Sequence, residues 1–483
     1  MLNRIAETIK VKHSPPASVL LLIFGLLFVG FAATACIQPI EDTGTAAMPA
    51  APVTAIPSDA GYGNAAAAEA LVEQMASGHF EDAVASFDET MTKALPSTAL
   101  ASTWQQIEAQ AGAFVSVLGT RTGKEQGYDV VYVSAEFEQT PLDIKVVFDD
   151  AGSVAGLFFQ PVQSGDAGGQ SNATPPYADP EQFTEQPVTV GEGTDWPLPG
   201  TLTLPAGDGP FPAVILVHGS GPNDRNETIG PNQPFRDIAW GLAAHGIATL
   251  RYDKRTLVYG EAMADDPTLT VQEEVIDDVL AAIKLLQQTD AVDPQQIFVL
   301  GHSLGGTLIP RIGAQTDDVA GLIVMAGADR PIDELMLEQM RYIFGLDGEI
   351  SDAEQAQLDD ISKVVDRIES ADFSPDTPAS ELLGAPGSYW LDLRDYVPSQ
   401  TAATLTQPML ILQGERDYQV TMVDFERWRA ALEGRSNVTF KSYPDLNHLF
   451  IAGEGPITPA EYQKPGFVAE EVIRDIADWI RQL

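Results

Sequence analysis

The pattern of apolar and polar positions divides the chain into two folded regions. Residues 66–160 begin with apolar residues at helical spacing, pass through a second helical run near Trp104, and end in four strand-like runs. From residue 183 onwards, strand-like apolar runs alternate with amphipathic helical runs. The first pattern predicts a small α+β domain over 66–160, and the second predicts an α/β sheet domain over 183–483.

Several of the predicted strands are continuous apolar runs, which is typical of parallel strands covered by helices on both faces. The predicted strands of the first domain are 115–121, 128–137, 144–148 and 154–159. Those of the second are 188–190, 201–204, 213–217, 247–252, 297–300, 322–325, 409–412 and 438–443. Two amphipathic helices are predicted over 271–286 and 467–480.

Three stretches interrupt these patterns. Segments 37–65 and 161–182 are rich in small residues and proline and lack periodicity, so we interpret them as linkers. Residues 329–400 are acidic and helix-prone, and they are much longer than an ordinary connection between a helix and a strand. We expect this insertion to form a helical cap over the active site, although extra peripheral helices would have the same pattern.

The first 36 residues are typical of an export signal. A positively charged start precedes an apolar run over 17–33, and Ala-Thr-Ala-Cys follows at 33–36. The segment resembles a bacterial lipobox, in which Cys36 would become the lipidated first residue, although Ala33 replaces the usual leucine. An uncleaved anchor and cleavage without lipidation are the alternatives. Each of them predicts an extracytoplasmic protein, either anchored to the membrane or secreted.

Composition and charge narrow the range of functions. The formal net charge is −42, and phosphate backbones require basic surfaces, so a nucleic-acid partner is excluded. Cys36 is the single cysteine, so the chain can form neither an internal disulfide nor a cysteine metal site. No H-E-x-x-H or similar ligand set occurs, and we expect neither a metal nor a cofactor.

The strongest chemical signal is Gly-His-Ser-Leu-Gly-Gly at 301–306. It follows an apolar strand and leads into a helical run. This is the context of a nucleophile elbow, a tight turn that lifts a serine hydroxyl above the edge of the sheet. Glycines at 301 and 305 suit such a turn, because it leaves no room for side chains. Ser303 is therefore the predicted nucleophile.

A serine hydroxyl needs an adjacent base to take its proton. In enzymes with this elbow, the base follows the serine in chain order, after the acid. Of the six histidines, only His448 lies beyond Ser303, in a loop directly after the predicted strand 438–443. His448 is the predicted base. His79 has no obvious partner and is interpreted as a surface or helix-end residue.

The acid must orient the histidine and stabilise its charged form. Asp417 comes soon after the predicted strand 409–412 and is our candidate. Glu415, two residues earlier, is the main competitor. We assign Asp424 to the following helix and Asp445 to shaping the loop that carries the base.

The oxyanion of a tetrahedral intermediate requires two backbone N–H donors. One is predicted to come from Leu304, the residue after the nucleophile. The other should come from the loop after strand 213–217, where Gly219 allows close approach and Ser220 is the favoured donor. His218 is interpreted as a structural residue of that loop.

Five motifs together resemble bacterial α/β-hydrolases of the esterase and serine-aminopeptidase-like group. They are HGSGPNDRNE (218–227), LRYDKRT (250–256), GHSLGG (301–306), GERDYQV (414–420) and the Asn-His pair (447–448). The resemblance implies an α/β-hydrolase domain over 183–483. For Asp224, Arg225 and residues 251–255 it implies a lattice of loop contacts beside the pocket, for which a structural role is favoured. Region 66–160 resembles a small α+β domain of unknown function that precedes some bacterial hydrolases.

These residues predict a hydrolase that cleaves small-molecule carboxylic esters through an acyl-enzyme at the cell envelope. The same residues would serve a serine peptidase acting on short peptides, and the sequence does not separate the two. A third hypothesis is a non-catalytic envelope binding protein whose 66–160 domain supplies the function. The complete set of candidate catalytic residues argues against this last hypothesis.

Overall fold

The computed structural model describes residues 60–125, 128–137, 141–149, 151–161, 173–264 and 266–483. The predicted signal segment with Cys36, and the linker up to residue 59, lie outside these residues. Within the described ranges, every helix is too short or too polar to cross a bilayer.

The first region consists of four helices followed by an antiparallel sheet. The helices are α1 (Ala60–Ala76), α2 (Phe80–Val84), α3 (Glu89–Ala94) and α4 (Ser97–Ala111). The strands are β1 (Phe114–Glu125), β2 (Tyr128–Phe137), β3 (Leu142–Phe148) and β4 (Val154–Pro161), paired in the order β1-β2-β3-β4. One face of the sheet packs on the helices around the buried Trp104 and Met75, and this confirms the predicted α+β arrangement.

The structure differs from the sequence prediction at the start of this region. Helix α1 begins at Ala60, inside the segment predicted as a linker over 37–65. Only Ala65 of the helix-favouring run Ala65–Ala68 lies in that segment, and Gly61 and Gly63 precede it, so composition alone was a poor guide. Helix α1 ends close to Gly78, whose φ of 76° cannot continue a right-handed helix.

The second region is built on an eight-stranded mixed sheet. Its strands are β5 (Phe183–Val190), β6 (Leu198–Pro205), β7 (Phe211–Val217), β8 (Ala248–Tyr252), β9 (Val292–His302), β10 (Gly321–Met325), β11 (Met409–Gly414) and β12 (Val438–Tyr443). They pair in the order β12-β11-β10-β9-β7-β8-β6-β5. Strands β7 to β12 are parallel, as expected from their apolar runs, whereas β5 and β6 pair antiparallel.

Helices cover both faces of this sheet. They are α5 (Pro234–Ala244), α6 (Arg255–Val258), α7 (Gly260–Ala264), α8 (Asp277–Gln287), α9 (Leu304–Gly313), α14 (Met422–Ala431) and α15 (Glu470–Ile480), with α10 to α13 in the insertion below. Alternate side chains of β7 enter different apolar clusters, Ile215 and Val217 on one face and Val214 and Leu216 on the other. This two-sided burial fixes the register of the strands whose ends carry the site.

The insertion between β10 and β11 is helical, as predicted. Its helices are α10 (Ile332–Phe344), α11 (Asp352–Glu369), α12 (Gly387–Arg394) and α13 (Pro398–Ala402). Helix α10 reaches the loop after β11, where Gln339 donates a hydrogen bond to the Gln419 carbonyl over 2.9 Å. Tyr342 stacks on Tyr418 with ring centroids 4.9 Å apart. The insertion therefore packs on the segment that carries Asp417.

Candidate active site

Ser303 lies in the turn between β9 and α9 with a φ of 54°, a conformation that is rare for a residue with a side chain. The turn closes tightly: a Cβ added at Gly301 would overlap the Gly305 carbonyl, and one added at Gly305 would overlap the Val217 carbonyl. The Ser303 N–H donates to the Met325 carbonyl of β10 over 3.0 Å. These are the features of a nucleophile elbow.

The candidate base and acid form a buried pair. Nδ1 of His448 lies 2.6 Å from Oδ2 of Asp417. The same carboxylate accepts hydrogen bonds from the side chain of Gln413, over 3.2 Å, and from the backbone N–H groups of Gln419 and Val420, over 2.7 and 3.0 Å. Asp417 therefore holds the imidazole by Nδ1 and leaves Nε2 available for proton transfer.

Two of the competing acids lie elsewhere. Glu415 is exposed and accepts a hydrogen bond from the Ser442 hydroxyl over 2.8 Å. Asp424 is buried in α14, where it accepts from the backbone N–H groups of Asp329 and Arg330, both over 3.0 Å. The structure thus places Asp417, rather than Glu415, against His448.

His302 connects the elbow to the base. Its ring packs against the ring of His448 with centroids 4.7 Å apart, and its Nε2 lies 2.9 Å from the His448 carbonyl oxygen. Because a carbonyl can only accept, Nε2 of His302 carries a proton. The residue directly before Ser303 therefore touches both the side chain and the main chain of the candidate base.

The other nitrogen of His302 faces a buried carboxylate. Nδ1 lies 2.8 Å from Oε2 of Glu227, and the two atoms are not aligned for a hydrogen bond, so the contact is an ion pair when His302 is protonated. Burial opposes charge on both groups, but each charge favours the other, so the pKa of His302 is raised and the pKa of Glu227 is lowered. The raised pKa favours the charged form of His302 beside Glu227.

The loop after β7 lies beside the candidate nucleophile. A Cβ at Gly219 would lie 3.1 Å from Cβ and 3.6 Å from Oγ of Ser303, so only glycine allows this approach without displacement. The Gly219 N–H is occupied by Oε1 of Glu227, at 2.7 Å. Ser220 is the next residue with an N–H along this loop. Leu304 is the first residue of α9, so its N–H has no acceptor within the helix.

His218 takes a structural position, as expected. One ring nitrogen lies 3.0 Å from the Asp224 carbonyl, and the ring packs against Phe235 and Tyr252. Complete burial lowers the pKa of His218 to about 4, so this histidine is neutral at ordinary pH.

Ion pairs tie the loops beside the site together, as the motif resemblance implied. Arg225 forms a bidentate pair with Asp253, with one contact of 2.6 Å. The other pairs are Arg251 with Glu185, Lys254 with Glu274, and Arg255 with Asp278. No group of three or more histidine, cysteine or acidic side chains in the described residues is arranged to hold a metal ion.

Backbone strain concentrates around the same strand ends. Within the described residues, four residues other than glycine have a positive φ, namely Glu227, Ser303, Ala326 and Phe450. They follow β7, β9, β10 and β12, and Phe450 lies two residues after His448. Strained residues of this kind cluster at functional sites, where surrounding structure holds them in place.

Sequence reasoning missed two contributors to the site, Glu227 and His302, and placed Lys254 only in a lattice of loop contacts. Glu227, His302 and Lys254 all lie inside the motifs that carried the family resemblance, but their partners are distant along the chain. The sequence analysis considered histidines only as candidate bases that follow Ser303 in the chain, so it assigned no role to His302. The available signal was the ionisable residues that these motifs contain, since such groups are seldom buried unless paired.

These features together define an α/β-hydrolase: the fold, the nucleophile elbow, and the buried pair of His448 and Asp417. Residues 214–457, about half of the chain, match a model described as the alpha/beta hydrolase family, and the chain belongs to this family. Residues 68–157 match a protein family of unknown function, DUF3887. The family and fold class predicted from the motifs are thereby confirmed.

Particular relatives can be named. Esterase EstD of Thermotoga maritima is 40% identical over 410 residues, which cover 85% of this chain and 93% of EstD. A solved esterase of Pyrococcus furiosus has a TM-score of 0.40 and 16% identity, covering 62% of this chain and 91% of its own. An acylaminoacyl peptidase of Pyrococcus horikoshii has a TM-score of 0.41 and 12% identity, covering 76% and 49%.

Proposed function

We propose that the protein is a serine esterase that cleaves carboxylic esters of small molecules through an acyl-enzyme. The observation that carries the proposal is the buried contact of 2.6 Å between His448 and Asp417, packed through His302 against the elbow of Ser303. The 40% identity to EstD, an esterase, supports ester substrates.

In this mechanism the Ser303 hydroxyl attacks the ester carbonyl while His448 takes its proton. The N–H groups of Ser220 and Leu304 stabilise the oxyanion, and His448 then protonates the departing alcohol. Water, activated by the same histidine, attacks the acyl-serine and releases the acid. Asp417 keeps the imidazole in its productive tautomer and stabilises its charged form throughout.

The test is the hydrolysis of p-nitrophenyl acetate by Ser303→Ala. Loss of the nucleophile should lower kcat by about 10³-fold or more with the fold intact. A fluorophosphonate probe should label the wild-type protein at Ser303 and leave the variant unlabelled. Undiminished hydrolysis by the variant would remove the assignment. Aminoacyl amides assayed in parallel would identify a peptidase if they were cleaved in preference to esters, and an unlabelled wild type would favour a binding protein.

We further propose that the enzyme acts at the cell envelope, attached through a lipid on Cys36. Support comes from the sequence alone, namely the charged start, the apolar run over 17–33 and the small residues before Cys36.

A further inference from the structure

Charged side chains hold both main-chain groups of Gly219. Its N–H donates to Oε1 of Glu227 over 2.7 Å, and its carbonyl accepts from Nζ of Lys254 over 2.8 Å. The amide of Asn223 also approaches this carbonyl, at 3.3 Å. Hydrogen bonds from charged donors are stronger than those between neutral groups, so Lys254 is the principal partner of the carbonyl.

Lys254 is buried together with its counter-ion. Nζ lies 2.6 Å from Oε1 of Glu274, and the two side chains are only 3% and 7% exposed. Glu274 belongs to a π-helical turn, Gln272–Ile276, a feature frequent at functional sites. A buried ion pair is often no more stabilising than a pair of apolar side chains. Stability alone therefore does not explain an ammonium directed at one particular carbonyl.

The planarity of the peptide bond transmits the effect of Lys254. In a trans peptide, the Gly219 carbonyl and the Ser220 N–H point in opposite directions. A lysine that fixes the carbonyl therefore fixes the direction of the N–H as well. The hydrogen bond also polarises the peptide, which makes its N–H a stronger donor. Because Gly219 lies against Ser303, this peptide borders the nucleophile.

We propose that Lys254 is a positioning residue that orients and polarises the Ser220 N–H as an oxyanion donor, with Glu274 holding the ammonium in place. The inference rests on the proposed esterase mechanism. Lys254 touches neither substrate nor nucleophile, and no proton moves through it.

The test is steady-state ester hydrolysis by full-length Lys254→Met. Removing an oxyanion donor outright costs about 10²–10³ in kcat, so a misdirected donor should cost about 10- to 100-fold. KM should stay nearly unchanged, since the oxyanion exists only in the transition state. A phenylboronic acid, which becomes tetrahedral on the serine, should lose affinity by the same factor as kcat/KM. A loss confined to KM would overturn the proposal.

Two further variants separate positioning from structural support. Arg255→Met breaks the neighbouring buried pair with Asp278 without removing a contact to Gly219, so it should reduce stability and leave kcat unchanged. Lys254→Met combined with Glu274→Gln leaves no unpaired buried charge. This double variant should be more thermally stable than Lys254→Met but should keep its low kcat. If the single variant does not fold, the kinetics are measured on the double variant.

Recovery of kcat together with stability in the double variant would overturn the proposal. A wild-type kcat in Lys254→Met would also overturn the proposal. The proposed function would still stand in that case, provided that hydrolysis by the wild type depends on Ser303. A wild-type protein without Ser303-dependent hydrolysis would instead reject the proposed function, on which the inference rests.

Discussion

At the scale of single residues, hydrogen-bond donors rather than proximity in sequence distinguish the acid of the site. Asp417 and Glu415 lie on the same short loop after β11. Asp417 points inward and accepts four hydrogen bonds, including that from His448, whereas Glu415 faces solvent. Two carboxylates that look equivalent in the sequence therefore have separate roles.

Asp417→Asn should lower kcat by about 10⁴-fold, because an amide no longer holds His448 in the productive tautomer. Glu415→Gln is the matched control, since it makes the same chemical change two residues away, and its kcat should equal that of the wild type. Steady-state kinetics and melting temperatures of both variants check the prediction. Equal losses in the two variants would contradict the assignment of the acid.

The ion pair of Glu227 and His302 should make stability depend on pH. Because the pKa of His302 is raised above 6.5 by folding, its contribution is complete below 6.5 and is lost as pH rises through the raised value. The lowered pKa of Glu227 acts at the acid end, where stability is lost as pH falls through it. Asp237 and Asp278 both have a pKa of about 6, so they titrate below the pH range in which His302 loses its proton.

We therefore expect the free energy of unfolding to decrease as pH rises from 6.5 to about 9, a range below the ordinary pKa of tyrosine, and expect Glu227→Gln to abolish this decrease. Without the carboxylate, burial would dominate and keep His302 neutral in the folded state. Urea unfolding between pH 6.5 and about 9, where tyrosines remain protonated, measures the effect. Glu415→Gln should retain the wild-type slope, and a slope unchanged in Glu227→Gln would show that the buried pair is not the cause.

At the scale of elements, the elbow depends on three backbones in close contact. Strand β9, helix α9 and the end of β7 meet where Gly301 and Gly305 lie, and neither position has space for a methyl group. A close-packed backbone cannot relax as the tip of a flexible side chain can. The glycines are thus required by packing, independently of any positive φ.

Gly301→Ala should prevent the native elbow from forming, giving insoluble or inactive protein. Gly260→Ala is the control, because nothing lies within 4 Å of a Cβ there and its φ is not positive. That change should preserve activity and leave stability unchanged or raise it by about 0.4–1 kcal/mol through the unfolded state. Soluble expression and melting temperature report both outcomes. An active, stable Gly301→Ala would contradict the packing argument.

At the scale of the whole molecule, the two regions have separate apolar cores, and the catalytic candidates all belong to the second. We therefore expect the first region to serve the location or partners of the enzyme rather than the chemical step.

The variant Cys36→Ser tests whether the protein is attached to the membrane through this cysteine. If a lipid on Cys36 attaches the protein, the variant should move from the membrane fraction to the soluble fraction while kcat stays unchanged. Ser303→Ala, which alters only the site, should remain with the membrane and serves as the control. Persistent membrane association of Cys36→Ser would favour an uncleaved N-terminal anchor instead.

The sequence by itself determined most of the elements and the candidate site residues. All eight strands of the second sheet were predicted within a few residues at most ends, because buried strands are apolar and periodicity is a local property. Ser303 and His448 were identifiable as candidates because the elbow motif and the order of residues along the chain can both be read from the sequence. The exceptions concerned where an element begins or ends, such as the start of helix α1, because alanine-rich sequence suits both a linker and a helix.

Only the tertiary structure decided which charges meet. Glu227, His302, Lys254 and Glu274 come from four separate strand ends and turns, and no spacing along the chain reveals their pairing. The antiparallel attachment of β5 and β6, and the choice of Asp417 over Glu415, were decided in the same way. Local pattern records which residues are buried, whereas the partners of a buried charge depend on contacts made across the folded chain.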